Sequence, residues 1–148
     1  MSFASIAYPE DKAARYALMT AQIQALTDGI THPIANLANT AALLWQGMPD
    51  INWCGFYLMD KGALMLGPFC GLPACIRIPL GRGVCGTAAQ QDKVQLVYDV
   101  HAFPGHIACD SASHPSAALA ASDAYSRAMT SPLLTRSPTV LSSSMPAP

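Results

Sequence analysis

Trp53 to Met59 and Ala63 to Leu66 are two apolar runs with only Asp60-Lys61-Gly62 between them. A turn that short joins antiparallel strands, because parallel strands need a crossover of a dozen residues or more. The chain must therefore build an antiparallel sheet around this hairpin, and the segments on either side must cover it.

Upstream, Tyr16, Met19, Ile23 and Leu26 recur at steps of three and four, with Asp11, Lys12 and Gln22 off that stripe. This spacing predicts an amphipathic helix over 10–27, stopped by Gly29. Thr31-His32-Pro33 opens a second helix, with a proline suited to the first turn. Its expected apolar face is Ile34, Leu37, Ala41, Leu44 and Trp45, and it should end near Gly47-Met48-Pro49. Downstream, Cys75 to Pro79 alternates in strand fashion, Gly81 to Ala89 is a glycine-rich turn entering a small-residue helix, and Val94 to Val100 predicts another strand. Helix–helix–hairpin–strand–loop–strand is an α+β order, an antiparallel sheet with flanking helices.

The 148 residues suit one domain with a real core, and 51% apolar against 11% charged residues is not a disordered composition. A formal net charge of -1 gives no electrostatic case for binding nucleic acid or an anionic membrane. No apolar run reaches membrane-spanning length, and the N-terminus lacks the basic-then-apolar pattern of a secretory signal. Five cysteines, an odd number with no Cys-x2-Cys pair, suit neither a secreted disulfide framework nor structural zinc. The expectation is a cytoplasmic protein with reduced thiols, some of them reactive, and no metal.

Past Ser113 the character changes. Residues 114–148 are dominated by Ser, Ala and Pro without a sustained apolar period, and SPLLTRSPT and LSSSMPAP read as linker or disordered tail. The folded domain is expected over 1–113, with a sheet left incomplete there.

Between Gly67 and Ser113 lie four of the five cysteines, His101 and His106, two arginines and most of the glycines. Such residues make a poor core and suggest a built pocket. Cys109, in GHIACDSAS, becomes a nucleophile if His106, Arg77 or Arg82 favours its thiolate; Asp110 works against this. A buried structural cysteine is the other reading. Cys75 in ACIRIP and Cys85 in GRGVCGT are inert strand and loop residues, or thiols able to condense a sulfenic acid into a disulfide. Cys54 and Cys70 lack comparable surroundings and read as incidental. His101 and His106 bracket a turn and can stabilise it, and Arg82 can clamp an anion or stand exposed. Trp53 and Tyr57 share one side of their strand, as core or as an aromatic wall for a small apolar ligand.

The stretches GPFCGLPACIRIPLGRGVCGTAAQ and DVHAFPGHIACDSAS, supported by NWCGFYL, resemble the free methionine-(R)-sulfoxide reductases, single GAF-type domains. The resemblance runs over about Glu10 to Ser113. It implies a nucleophile at Cys109, a principal resolving cysteine at Cys75, a third cysteine at Cys85, and Trp53 and Tyr57 flanking the thioether end of the substrate. The implied chemistry is reduction of free L-methionine-(R)-sulfoxide, with a sulfenic acid at Cys109, a disulfide to Cys75 and recycling by thioredoxin. No cofactor is implied, and a homodimer is. The family carries a glutamate seven residues past the nucleophile, where this chain has Ser116, and then an Asp-x-Asp pair that 114–148 lack. Asp110, Asp99 and Asp123 are the acids left nearby, with Asp110 the candidate substrate contact. The break at Ser113 is what a shifted reading frame or a misjudged exon boundary would produce. A non-catalytic GAF-like module, binding a small ligand or sensing redox state, is the alternative reading.

Overall fold

The computed structural model describes residues 6–105 and two later strands, Ala118–Ala120 and Thr139–Ser143. Helix α1, Lys12–Thr27, is capped by Asp11, whose carboxylate accepts the Ala14 N–H at 2.8 Å. Helix α2, Pro33–Gly47, starts with its proline and is capped by His32, whose Nδ1 accepts the Ala35 N–H at 3.3 Å. Both starts follow the rule that the first N–H groups of a helix need an external acceptor. The buried face of α2 is Leu37, Ala41, Leu43 and Gly47, while Ile34 and Trp45 are exposed. The expected face is thus corrected. Leu37 and Ala41 press on Phe56 of the sheet, and Gly47 lies against Met19 of α1, so the helix turns the ends of its apolar stripe outward.

The hairpin consists of β1, Trp53–Asp60, and β2, Ala63–Gly71. Lys61 and Gly62 take φ 46° and 77°, the left-handed pair that matches the twist of a two-residue hairpin turn. Strand β2 runs past Leu66 because the register shifts between Gly55 and Tyr57, absorbing an extra residue and letting pairing continue to Trp53↔Gly71. Two expected strands shorten. β3 is only Arg77–Pro79, and β4 is Gln95–Val97, because Asp99 accepts the His101 N–H at 2.9 Å and caps a 3-10 turn over Val100–Ala102. Between them, α3 spans Gly83–Gln91.

The strands β5, Ala118–Ala120, and β6, Thr139–Ser143, complete an antiparallel sheet of order β3-β2-β1-β6-β5-β4. Residues past 113 therefore enter the sheet, where the sequence had promised no strand. Pairing uses the backbone N–H and C=O that every residue carries, so three- and five-residue segments can fill a gap without an apolar pattern. The disordered tail foreseen for the remainder of 114–148 lies outside the described residues.

Helix α2 packs one face of β1 and β2 through Leu37, Ala41 and Phe56. The other face holds a second core of Tyr57, Leu64, Ile78, Val84, Ala88 and Val100, with α3 packed on it. Among the described residues no helix is long and apolar enough to cross a membrane.

Candidate functional site

Alternation along β1 sends Cys54 and Phe56 toward α2 and sends Trp53 and Tyr57 to the opposite face. There the two rings lie 6.1 Å apart between centroids, tilted by 30°. Phe69 of β2 stacks on Trp53 at 5.6 Å and 17°. Gly55 makes room for it: a Cβ there would come within 2.7 Å of the Phe69 Cα. The result is a three-ring aromatic wall built from one hairpin.

Tyr57 is buried, and its hydroxyl donates to the Cys75 carbonyl at 2.7 Å. Burial, and to a lesser extent charge on Cys85, holds the phenol pKa above its ordinary value, so the hydroxyl remains a donor. The segment carrying Cys75 is thereby fastened to β1. The Trp53 indole N–H is buried and has no hydrogen-bond partner among the described residues. A buried donor without an acceptor is costly, which marks this point as one suited to a polar atom.

Cys75 is disulfide-bonded, whereas Cys54, Cys70 and Cys85 are free thiols. Cys85 sits in the first turn of α3 and packs against the Tyr57 core. Burial pushes its thiol up to about 11, a backbone hydrogen bond opposing this only in part. Arg82 caps α3 by position, without a side-chain cap bond, and is exposed, as is Arg77. The Gly83 N–H donates to the Gly105 carbonyl at 3.1 Å, tying the glycine-rich loop to the segment that leads toward residue 106.

Trp53, Tyr57, Cys75 and Cys85 are thus brought around one core. Cys109, Asp110, His106, Ser116 and Asp123 lie outside the described residues. Asp99 is a turn cap rather than a free acid facing the aromatic wall, and His101 is exposed beside it. Phe69 and Gly55 were not singled out in the sequence. The signal was there in part: once β2 is extended to Gly71, Phe69 falls opposite Gly55 and diagonal to Trp53.

No protein-family model matches the chain. The free methionine-R-sulfoxide reductase of Escherichia coli (strain K12) is 54% identical over 104 residues, 70% of this chain and 63% of that protein. A crystal structure of free methionine-R-sulfoxide reductase from Neisseria meningitidis in complex with its substrate is 39% identical. It superposes with a TM-score of 0.77 and covers 95% of this chain and 79% of that one. The chain belongs to the free methionine-(R)-sulfoxide reductase family. A solved GAF domain, 31% identical, superposes with a TM-score of 0.76 over 97% of this chain and 78% of that one, which gives the reductase fold its class. The chain spans under two thirds of the length of the curated relatives it matches. Within this reductase-family chain, the aromatic wall and the oxidised Cys75 are the described part of the candidate site.

Proposed function

We propose that this chain reduces free L-methionine-(R)-sulfoxide to methionine through a cysteine nucleophile. The observation that carries the reading is the pairing of an oxidised Cys75 with the Trp53–Tyr57–Phe69 wall, joined by the Tyr57 hydrogen bond to the Cys75 carbonyl. The wall suits the apolar thioether end of the substrate, and the buried Trp53 N–H suits the sulfoxide oxygen.

The Cys109 thiolate attacks the sulfoxide sulfur while the oxygen takes up protons. Methionine leaves, and Cys109 keeps the oxygen as a sulfenic acid. The Cys75 thiol condenses with it, releasing water and forming a disulfide that a thioredoxin-type dithiol reduces. The sulfoxide gains two electrons and the two cysteine sulfurs supply them. Cys54, Cys70 and Cys85 are free thiols, and the pairing of Cys75 with Cys109 is the one the family resemblance implies. Burial raises the Cys85 thiol to about 11, which disfavours its thiolate at neutral pH.

The change of sequence character past Ser113 bears on the same proposal. A sulfoxide is a poor electrophile until an acid engages its oxygen, and Ser116 stands where the family resemblance calls for a glutamate. Turnover is accordingly slower than in relatives with that carboxylate, with Asp110 the acid left beside the nucleophile. The reductant is thioredoxin and the compartment the cytoplasm; the assembly is a homodimer.

The test is turnover of free methionine-(R)-sulfoxide by the purified chain with a thioredoxin system. Methionine should appear slowly and vanish in Cys109→Ser, and Ser116→Glu should raise the rate. Peroxide-driven formation of a Cys75–Cys109 disulfide with no methionine released would instead identify a redox-sensing module.

A further inference from the structure

Cys54 of β1 and Cys70 of β2 are direct partners in the hairpin register. Directly opposed residues of an antiparallel pair share a face, with Cα atoms about 4.5–5.5 Å apart. A disulfide bridges Cα separations of roughly 4.4–6.8 Å. Both residues are free thiols. They lie on the face toward α2, opposite Trp53 and Tyr57. The Cys54 thiol donates to the Ala41 carbonyl at 3.5 Å, and Cys70 packs on the Leu37–Ala41–Phe56 core.

We propose that Cys54 and Cys70 form a second redox pair, closed to an intramolecular disulfide by a hydroperoxide and independent of Cys75. Burial raises both thiols, and charge on Cys70 adds to the rise at Cys54. Their exposures divide the labour. Cys54 is fully buried, whereas Cys70 is only partly so and is the sulfur an oxidant reaches. The Cys70 thiolate attacks the O–O bond of hydrogen peroxide, one oxygen becoming its sulfenic hydroxyl and the other leaving as water. Cys54 turns from the Ala41 carbonyl and displaces that hydroxyl as a second water. Two sulfurs give two electrons to one peroxide, the two thiol protons end in the waters, and one S–S bond forms. Closure would staple the strands that carry Trp53 and Phe69, one residue away on each strand.

The experiment uses the full chain carrying Cys75→Ser, Cys85→Ser and Cys109→Ser, so that Cys54 and Cys70 are its cysteines. Trypsin cuts after Lys61, between them. After treatment with hydrogen peroxide, the non-reduced digest should contain the 16–61 peptide joined to the 62–77 peptide, two hydrogens lighter than their sum and separated by dithiothreitol. Titration of the unfolded protein should find both thiols lost, and adding Cys70→Ser should abolish the linked species. Should the triple variant fail to fold, the same linked pair is sought in the unsubstituted chain, where fragmentation distinguishes Cys70 from Cys75. Two intact thiols, over-oxidation of Cys70 beside a reduced Cys54, or cross-links only between chains would each overturn the proposal.

Discussion

At the scale of single residues, the site depends on what β1 carries and what it omits. Trp53 supplies a ring and a buried N–H without an acceptor among the described residues, and these contributions can be separated. Trp53→Phe keeps an aromatic face and removes the donor. If the N–H meets the substrate oxygen, steady-state kinetics should show kcat/KM lower by about tenfold, as for one lost hydrogen bond. Urea denaturation should show stability unchanged within about 0.5 kcal/mol. Gly55 contributes by having no side chain. A Cβ at that position would lie 2.7 Å from the Phe69 Cα and 2.9 Å from the Pro68 carbonyl oxygen, backbone atoms that cannot swing aside. Gly55→Ala should therefore cost about 1–3 kcal/mol by overpacking, read as a lower urea midpoint, and should disturb the Trp53–Phe69 stack.

Among elements, the hairpin serves two layers at once. Its one face carries the aromatic wall; the other is held by α2 through Phe56, 1% exposed, against Leu37 and Ala41. The smallness of that second cluster makes each member count. Phe56→Ala removes its largest side chain, and the short α2 contact leaves little to collapse into the space. The expected loss is about 3–5 kcal/mol in chemical denaturation. The same division explains why Cys54 and Cys70 stand apart from Cys75: strand alternation puts them through the sheet from the aromatic wall.

For the whole molecule, the order β3-β2-β1-β6-β5-β4 places β6 against β1. Without β5 and β6, β1 becomes an edge and β4 loses its partner. Truncation after residue 113 should thus yield an aggregating or poorly folded chain, visible by size-exclusion chromatography and loss of a cooperative melt. The folded chain also resists losing protons. Burial raises the thiols of Cys54 and Cys85 from 9.0 to about 11, and Tyr57 is raised as well. The native state then holds protons that the unfolded state releases, so this contribution is complete below pH 9 and is lost as pH climbs through about 11. Denaturant midpoints should fall over that interval, and Cys85→Ser should flatten the decline.

Local pattern alone determined the two helices, the hairpin turn at Lys61-Gly62 and the α+β order, because these depend on spacing along the chain and on turn chemistry. The clustering of Trp53, Tyr57, Cys75 and Cys85 was implied by the family resemblance of their motifs and not by local pattern. Tertiary structure decided the rest. It selected which part of the α2 stripe is buried, since Ile34 and Trp45 find no opposing surface while Leu37 and Ala41 meet Phe56. It brought Phe69 onto Trp53, through a register shift that no period-two reading contains. It also drew β5 and β6 into the sheet, because strand pairing is satisfied by backbone groups that every sequence supplies and is therefore fixed by the neighbouring strand rather than by composition.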